Sequence, residues 1–320
     1  MDPSWLERDP ELLALRIELT DRGMLSEMLA PVPADRTRVE SLPGDRIGFR
    51  PWALAEDGAL PEDALDLAYF ACSFGGDCLG TLDHDDALTP CDGTFVRDER
   101  PCFAGRGADT RYEIPTPDPN DLSTTSFFPS VVAIAGEPDV RDTDSCIDAL
   151  REPPYEDLHG CMLLERSIPI GPSWVLAALL GLTPAEEIPP EVLLQAPNFN
   201  PEVDRILVQR SAGGLETVEA RSGDRVSVKV GEHVRLTVDP DPRDAQQYAV
   251  SVVDGNVLRN MEGLSTDWYA NVAVPTSTEM WINAPVLDWT AKEAGEVRFD
   301  VLLQDGLGGL GWGAIVFDVQ

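Results

Sequence analysis

Asp83, Asp85 and Asp86, with His84 among them, form the densest set of potential ligands in the chain. Asp77 and Asp92 lie close by in sequence. In an extended backbone alternate side chains share one side, so Asp83 and Asp85 are expected to point together. Crowded carboxylates in a loop suit Ca²⁺, a hard cation that takes about six to eight oxygen ligands. The EF-hand spacing is absent, so a solvated acidic loop competes with a Ca²⁺ site. Asp239-Pro240-Asp241-Pro242-Arg243-Asp244 is a second acidic loop of the same kind.

Other chemistry finds less material. A zinc site at His84 would want a second histidine nearby, but the others are His159 and His233, and HExxH is missing. Gly171-Pro172-Ser173-Trp174 does not match the GxSxG nucleophile elbow. Gly306 to Gly313 lacks the lysine of a phosphate-binding loop and reads as a hairpin turn. Paired carboxylates for glycoside cleavage occur everywhere in so acidic a chain and discriminate nothing. Trp268, Tyr269, Trp281 and Trp289 cluster in the second half, and Trp268 and Trp281 are candidates for stacking on sugar rings. Core packing is the competing use of the same aromatics.

Six cysteines, at 72, 78, 91, 102, 146 and 161, lie in the first half, and no two form CxxC. Zinc ribbons and thioredoxin-like motifs are thereby disfavoured, and disulfides are expected. Disulfides imply the periplasm, an outer-membrane anchor or the exterior. Six cysteines admit several connectivities. Cys146–Cys161 is the first choice, with Cys72–Cys102 around Cys78–Cys91 for the rest.

The chain has 320 residues and a formal net charge of −33, from 57 acidic against 24 basic side chains. Such a surface repels nucleic acid phosphates and anionic headgroups, so neither is an expected partner. Only Lys229 and Lys292 are lysines. Met1-Asp2-Pro3 opens no basic and apolar leader, so a leader is expected to have been removed. The longest apolar run, Trp174 to Leu182, is too short for a membrane helix, which needs about 20 residues.

The elements that carry these residues are mostly short strands. Leu13, Leu15, Ile17 and Leu19 alternate along a first strand, and Leu67 to Cys72 forms a short buried one. Phe127 to Ala135 pairs with Cys161 to Ile170, with a short helix near Cys146 between them. After Pro184, Pro189 and Pro190 the alternation sharpens: Asp224 to Val230, His233 to Val238, Tyr248 to Val253, and a closing hairpin from Val297 to Val319. The fold class expected is mainly β, with two Ig-like β-sandwich domains, the first carrying a disulfide-stapled loop and helix insertion. The boundaries are a tether at 1–9, a first domain at 10–182, a linker at 183–197 and a second domain at 198–320. Val39 to Ile47 also resembles Val218 to Val226, as if the two sandwiches were related.

Leu13-Ala14-Leu15-Arg16-Ile17-Glu18, the Gly44-Asp45 turn and Asp305-Gly306-Leu307-Gly308-Gly309 before Trp312 resemble the Ig-like envelope lipoproteins of myxobacteria and related bacteria. The resemblance implies a tether after a lipidated cysteine, followed by sandwiches, and brings no catalytic residues. The first cysteine here is Cys72, so any lipid anchor would sit on a removed N-terminal segment. The expected function is a non-catalytic binding or structural protein whose partner is a protein or envelope component. A carbohydrate-binding module that takes up glycan, or a secreted hydrolase with an unrecognised site, is the alternative.

Overall fold

The computed structural model describes residues 10–55, 58–73, 78–83, 85–94, 100–117, 129–151, 158–179, 188–211, 216–253, 256–271 and 286–320. The expected tether lies outside them.

The first half supplies strands β1 (Glu11–Asp21), β2 (Arg46–Ala55), β3 (Gly58–Ala59), β4 (Leu67–Cys72), β5 (Pro101–Arg106), β6 (Arg111–Glu113), β7 (Ser130–Gly136) and β8 (Cys161–Ser167). β1 pairs with one edge of β2, and β3 and β6 with the other. The second sheet runs β5-β4-β7-β8, antiparallel throughout. Apart from the two-residue β3, this is the immunoglobulin-type order, A-B-E against C′-C-F-G. Leu15, Ile17, Ile47 and Phe49 meet Tyr69, Val131 and Ala133 between the sheets. Phe49 stacks on Tyr69 at 4.9 Å.

β1 departs from the simple alternation in its sequence. A bulge between Leu12 and Ala14 shifts the register, so Leu12 joins Leu15 and Ile17 in the core. Leu13 is turned to the other face with Ala14. One extra residue in a strand moves everything before it to the opposite side.

The outer face of the second sheet is covered as well. Helix α1 (Thr143–Arg151) and the segment around Cys78 and Leu82 bury Phe70, Val132 and Ile134 under Ile147 and Leu150. That is why Leu67 to Cys72 is a continuous apolar run: a strand buried on both faces has no polar side. Cys146–Cys161 and Cys72–Cys78 fasten this extra layer to the sheet. The third bond is Cys91–Cys102.

The nested pairing of Cys72 with Cys102 and Cys78 with Cys91 does not occur. Cys102 stands opposite Ala71 in the ladder. It therefore shares the inner face with Ala71, whereas Cys72 points to the outer layer. A bond between them would have to pass through the sheet. Cys91 reaches Cys102 because its N–H bonds the Phe103 carbonyl at 3.0 Å. Three disulfides mark an oxidising, non-cytoplasmic setting. Replacing Cys146 and Cys161 together by alanine is expected to lower stability by about 3 kcal/mol, the loop-closure value for a separation of 15 residues. Urea unfolding followed in the far ultraviolet reads this directly.

The second half forms β9 (Ile206–Arg210), β10 (Glu216–Ala220), β11 (Arg225–Val228), β12 (His233–Val238), β13 (Gln247–Val253), β14 (Asn256–Met261), β15 (Ser265–Ala270), β16 (Val286–Thr290), β17 (Gly295–Gln304) and β18 (Leu310–Val319). Sheet β10-β9-β12-β16 faces sheet β11-β18-β17-β15, and β13-β14 is a separate hairpin. β11 runs parallel to the last strand β18. Trp268, Trp289, Phe299 and Phe317 fill the space between the sheets. Trp289 lies 5.2 Å from Phe299 and 5.3 Å from Phe317. Between the halves run α2 (Ser173–Leu179) and α3 (Pro190–Leu193), where Trp174 and Ala178 of α2 pack against Ile188 and Val192.

The repeat seen in the sequence is a shared turn in unmatched places. In Leu42-Pro43-Gly44-Asp45 the glycine sits at φ 85° and the Asp45 carboxylate accepts the Leu42 N–H at 2.8 Å. Arg221-Ser222-Gly223-Asp224 has the same form, with φ 89° and 2.8 Å. Yet the first turn leads into β2, the second strand of its sandwich, and the other into β11, which pairs with the last strand. The structural counterpart of Gly44-Asp45 is Gly231-Glu232, which leads into β12. There φ is 85° and Glu232 accepts the Lys229 N–H at 2.9 Å. A glycine at positive φ followed by an acid that caps the turn is local chemistry, so it recurs wherever such a turn is made.

Candidate functional site

Two places gather functional side chains: the joint between the sandwiches and a cleft beside Cys91–Cys102.

The joint is built face to face. Ala14 of β1 and Trp52 and Leu54 of β2 point outward from the first sandwich, and Leu302 of β17 and Leu310 of β18 point outward from the second. Trp52 stacks on Trp312 at 5.9 Å with the planes 10° apart, and meets Tyr269 edge-on at 5.6 Å. Offset and edge contacts of this kind add about 0.5–1.5 kcal/mol each beyond area burial.

Charged groups surround that apolar patch. Arg16, its side chain 7% exposed, reaches Glu202 at 2.6 Å and the Thr37 hydroxyl at 2.8 Å. Arg36 is almost fully enclosed; its Nε donates to Asp244 at 2.9 Å and a terminal nitrogen to Asp204 at 2.9 Å. Burial pushes the Asp244 carboxyl above its ordinary value, and Arg36 pulls it back. Arg243 bridges Asp35 at 2.9 Å and Asp241 at 2.6 Å, and holds Asp241 down to about 2. Asn200 donates to the Ile17 carbonyl and accepts the Leu310 N–H, both at 2.9 Å.

The acidic loop at 239–244 is therefore occupied by arginines. Asp239 pairs with Arg205 at 2.8 Å, and Asp241 and Asp244 with Arg243 and Arg36. Its carboxylates close the joint with guanidinium partners from this same chain.

In the other acidic loop the backbone at Asp85 and Asp86 is not the extended one the sequence implied. Asp83 is exposed, and Asp85 and Asp86 lie in a helical turn, Asp85–Leu88. Side chains alternate only along an extended backbone, so that reason for Asp83 and Asp85 to converge is gone. Among the described residues no group of three Asp, Glu, His or Cys is placed to hold a metal. His84 and Asp77 lie outside the described residues.

Trp268 is fully buried and faces the core, so it cannot stack on a sugar. Trp289 is buried beside it, and Tyr269 is committed to Trp52 in the joint. Trp281 lies outside the described residues.

The cleft beside Cys91–Cys102 encloses about 430 Å³ and is walled by Ser73, Thr89, Asp92, Arg100 and Tyr112. Burial pushes the Tyr112 phenol up, against a hydrogen bond with Ser73. The Thr94 N–H and hydroxyl hold Asp92 below the usual carboxylate range. The space suits one small polar molecule. A shallower depression brings His159 beside Asp142 and Ser145. Ser145 gives its hydroxyl hydrogen to Asp142 at 2.7 Å, and Asp142 also accepts the Ser145 N–H at 2.8 Å. That is an N-terminal cap for α1, with the serine turned to the carboxylate and not to the histidine.

No family model matches the chain, and no curated protein matches its sequence. Among solved structures, the fibronectin(III)-like modules of Clostridium thermocellum CbhA align over 91% of this chain and 93% of theirs, at 9% identity and a TM-score of 0.22. At that score the strand order, and not the alignment, establishes the sandwich fold.

Sequence reasoning missed the joint. Arg16 directly after the apolar run Leu12 to Leu15 was its one local signal, because a charged side chain next to a stretch apolar on both faces asks for a partner.

Proposed function

We propose that the chain is a non-catalytic binding or structural module of the bacterial envelope or exterior, in which the two sandwiches act as one stiff body. The observation that carries this reading is the joint. Aromatic stacking at its centre and arginine–carboxylate pairs around it spend the outer faces of two sheets on each other. A hinged pair of domains would leave those faces polar and separate. Its partner is a protein or an envelope component, and attachment to the membrane would come through a lipidated segment ahead of this chain. Among the described residues no helix is long and apolar enough to cross a membrane. Glycan binding, if present, belongs at the Cys91–Cys102 cleft, since the described tryptophans are spent on the core, the joint and, for Trp174, the packing of α2 on α3.

Small-angle scattering of the full chain should fit a single rigid shape. Trp52→Ala should broaden it and split one unfolding transition into two, with a loss of about 3 kcal/mol from the joint. A wild-type profile that needs an ensemble of domain orientations would sink the reading. So would turnover of ester, glycoside or peptide substrates that survives purification and depends on residues of this chain.

A further inference from the structure

Three carboxyl groups raise one another's proton affinity where the β17–β18 hairpin of the second sandwich packs against Arg166 of the first. Glu40 comes from the first sandwich, Asp305 from the hairpin tip, and Glu262 from the turn between β14 and β15. Asn198 ties two of them together: its N–H donates to Glu40 at 2.7 Å and its side-chain amide to Asp305 at 3.1 Å. Asp305 also accepts the Leu307 and Gly309 N–H groups at 2.8 and 2.7 Å. Gly171 presses on Glu40 so closely that a Cβ there would overlap its carboxyl oxygen. Glu262 is 3% exposed. One of its oxygens takes the Gln246 N–H at 3.0 Å, and the other has no hydrogen-bond partner among the described residues.

Positive charge is scarce at this spot. Among the described residues Arg38 faces Glu40, but it is shared with Asp45 at 3.5 Å and repelled by Arg22. Arg166 faces Asp305, but its guanidinium is spent on the carbonyls of Leu15 and Gly308. Glu262 faces Asp305, Glu40 and Asp244, all acidic, and Asp244 already holds Arg36. Two half-committed arginines cannot neutralise three carboxylates of which Glu262 is buried and Glu40 and Asp305 are half-buried.

We propose that the joint is a proton-operated clasp: Glu262 and Glu40 hold it shut while they carry protons, and it loosens when both are ionised beside Asp305. Burial supports this by pushing Glu40 up to about 6 and Glu262 up to about 8. Carboxyls raised in the folded state favour folding at low pH. That contribution is full below their unfolded value and is lost as pH rises through the folded one, here between about 4.5 and 8. Asp35 and Asp241, held low by Arg243, act in the opposite sense and only at the acid extreme.

The inference rests on the stiff joint of the reading above, and calorimetry of the full chain separates the two. At about pH 5.5 one transition is expected; at about pH 9 it should split, with its onset about 5 °C lower. Glu262→Gln, which keeps the shape without the charge, should abolish most of the change above about pH 7, and Glu40→Gln most of the change below it. One unsplit transition of equal onset at both pH values overturns the clasp and leaves the stiff body standing. Two transitions already at about pH 5.5 overturn both. Should the variants fail to fold, a carboxyl-carbon NMR titration of the wild type decides: a Glu262 midpoint well above that of an ordinary glutamate supports the clasp, and an ordinary one overturns it.

Discussion

Arg36→Leu is expected to cost about 3–5 kcal/mol of folding stability, the range for removing one partner of a buried ion pair. The Arg36 side chain is 3% exposed and that of Asp244 is 0% exposed. Without the guanidinium, Asp244 would keep, among the described residues, only the Glu202 N–H at 3.4 Å. It would have to take up a proton or admit water, and either costs stability at the joint. Asp204 loses its partner as well, but it is half exposed and water replaces the contact. Urea unfolding at neutral pH measures the loss. The double change Arg36→Leu with Asp244→Leu should recover much of it, because an apolar pair leaves no charge behind. A single variant within about 1 kcal/mol of wild type would show that the network is peripheral to the joint.

Trp268→Ala is the second large effect, about 3–5 kcal/mol, from emptying the largest fully buried side chain among the described residues. It sits on β15 opposite Val301, in the core with Phe299 and Phe317. Its indole N–H has no hydrogen-bond partner among the described residues. Trp268→Phe should therefore be much milder than alanine, since it keeps most of the volume and removes a buried donor that gains nothing. Denaturant midpoints of the two variants check this. Binding to glycans, if any is found, should survive Trp268→Phe unchanged. A loss of glycan binding in a stably folded Trp268→Phe would reinstate the aromatic as a ligand contact.

Most strands were legible because their signals are local. His233 to Val238 and the closing hairpin alternate with period 2, and Gly-Asp or Gly-Glu turns punctuate them. Cys146 and Cys161 stand apart in sequence from the other four cysteines, on a helix and the strand that follows it, so their bond was legible. The other pairs were not legible, because they depend on which side of β4 each cysteine faces. The acidic residues misled for a related reason. Asp241 and Asp244 look like cation ligands by composition, and they do hold cations, but these are Arg243 and Arg36 folded back onto them.

What the sequence determined by itself is the compartment class, the sandwich architecture and the turns, all of which follow from residue type and near-neighbour spacing. Only the tertiary structure decided the facing of each side chain. Trp268 went to the core and Trp52 to the joint, though both are tryptophans in strands. A bulge at Leu12, a sheet covered on both faces and a second domain docked on the first are long-range facts. Each reassigns which surface meets water, and burial, not identity, then sets whether a tryptophan binds a ligand, a cysteine finds its partner or a glutamate keeps its proton.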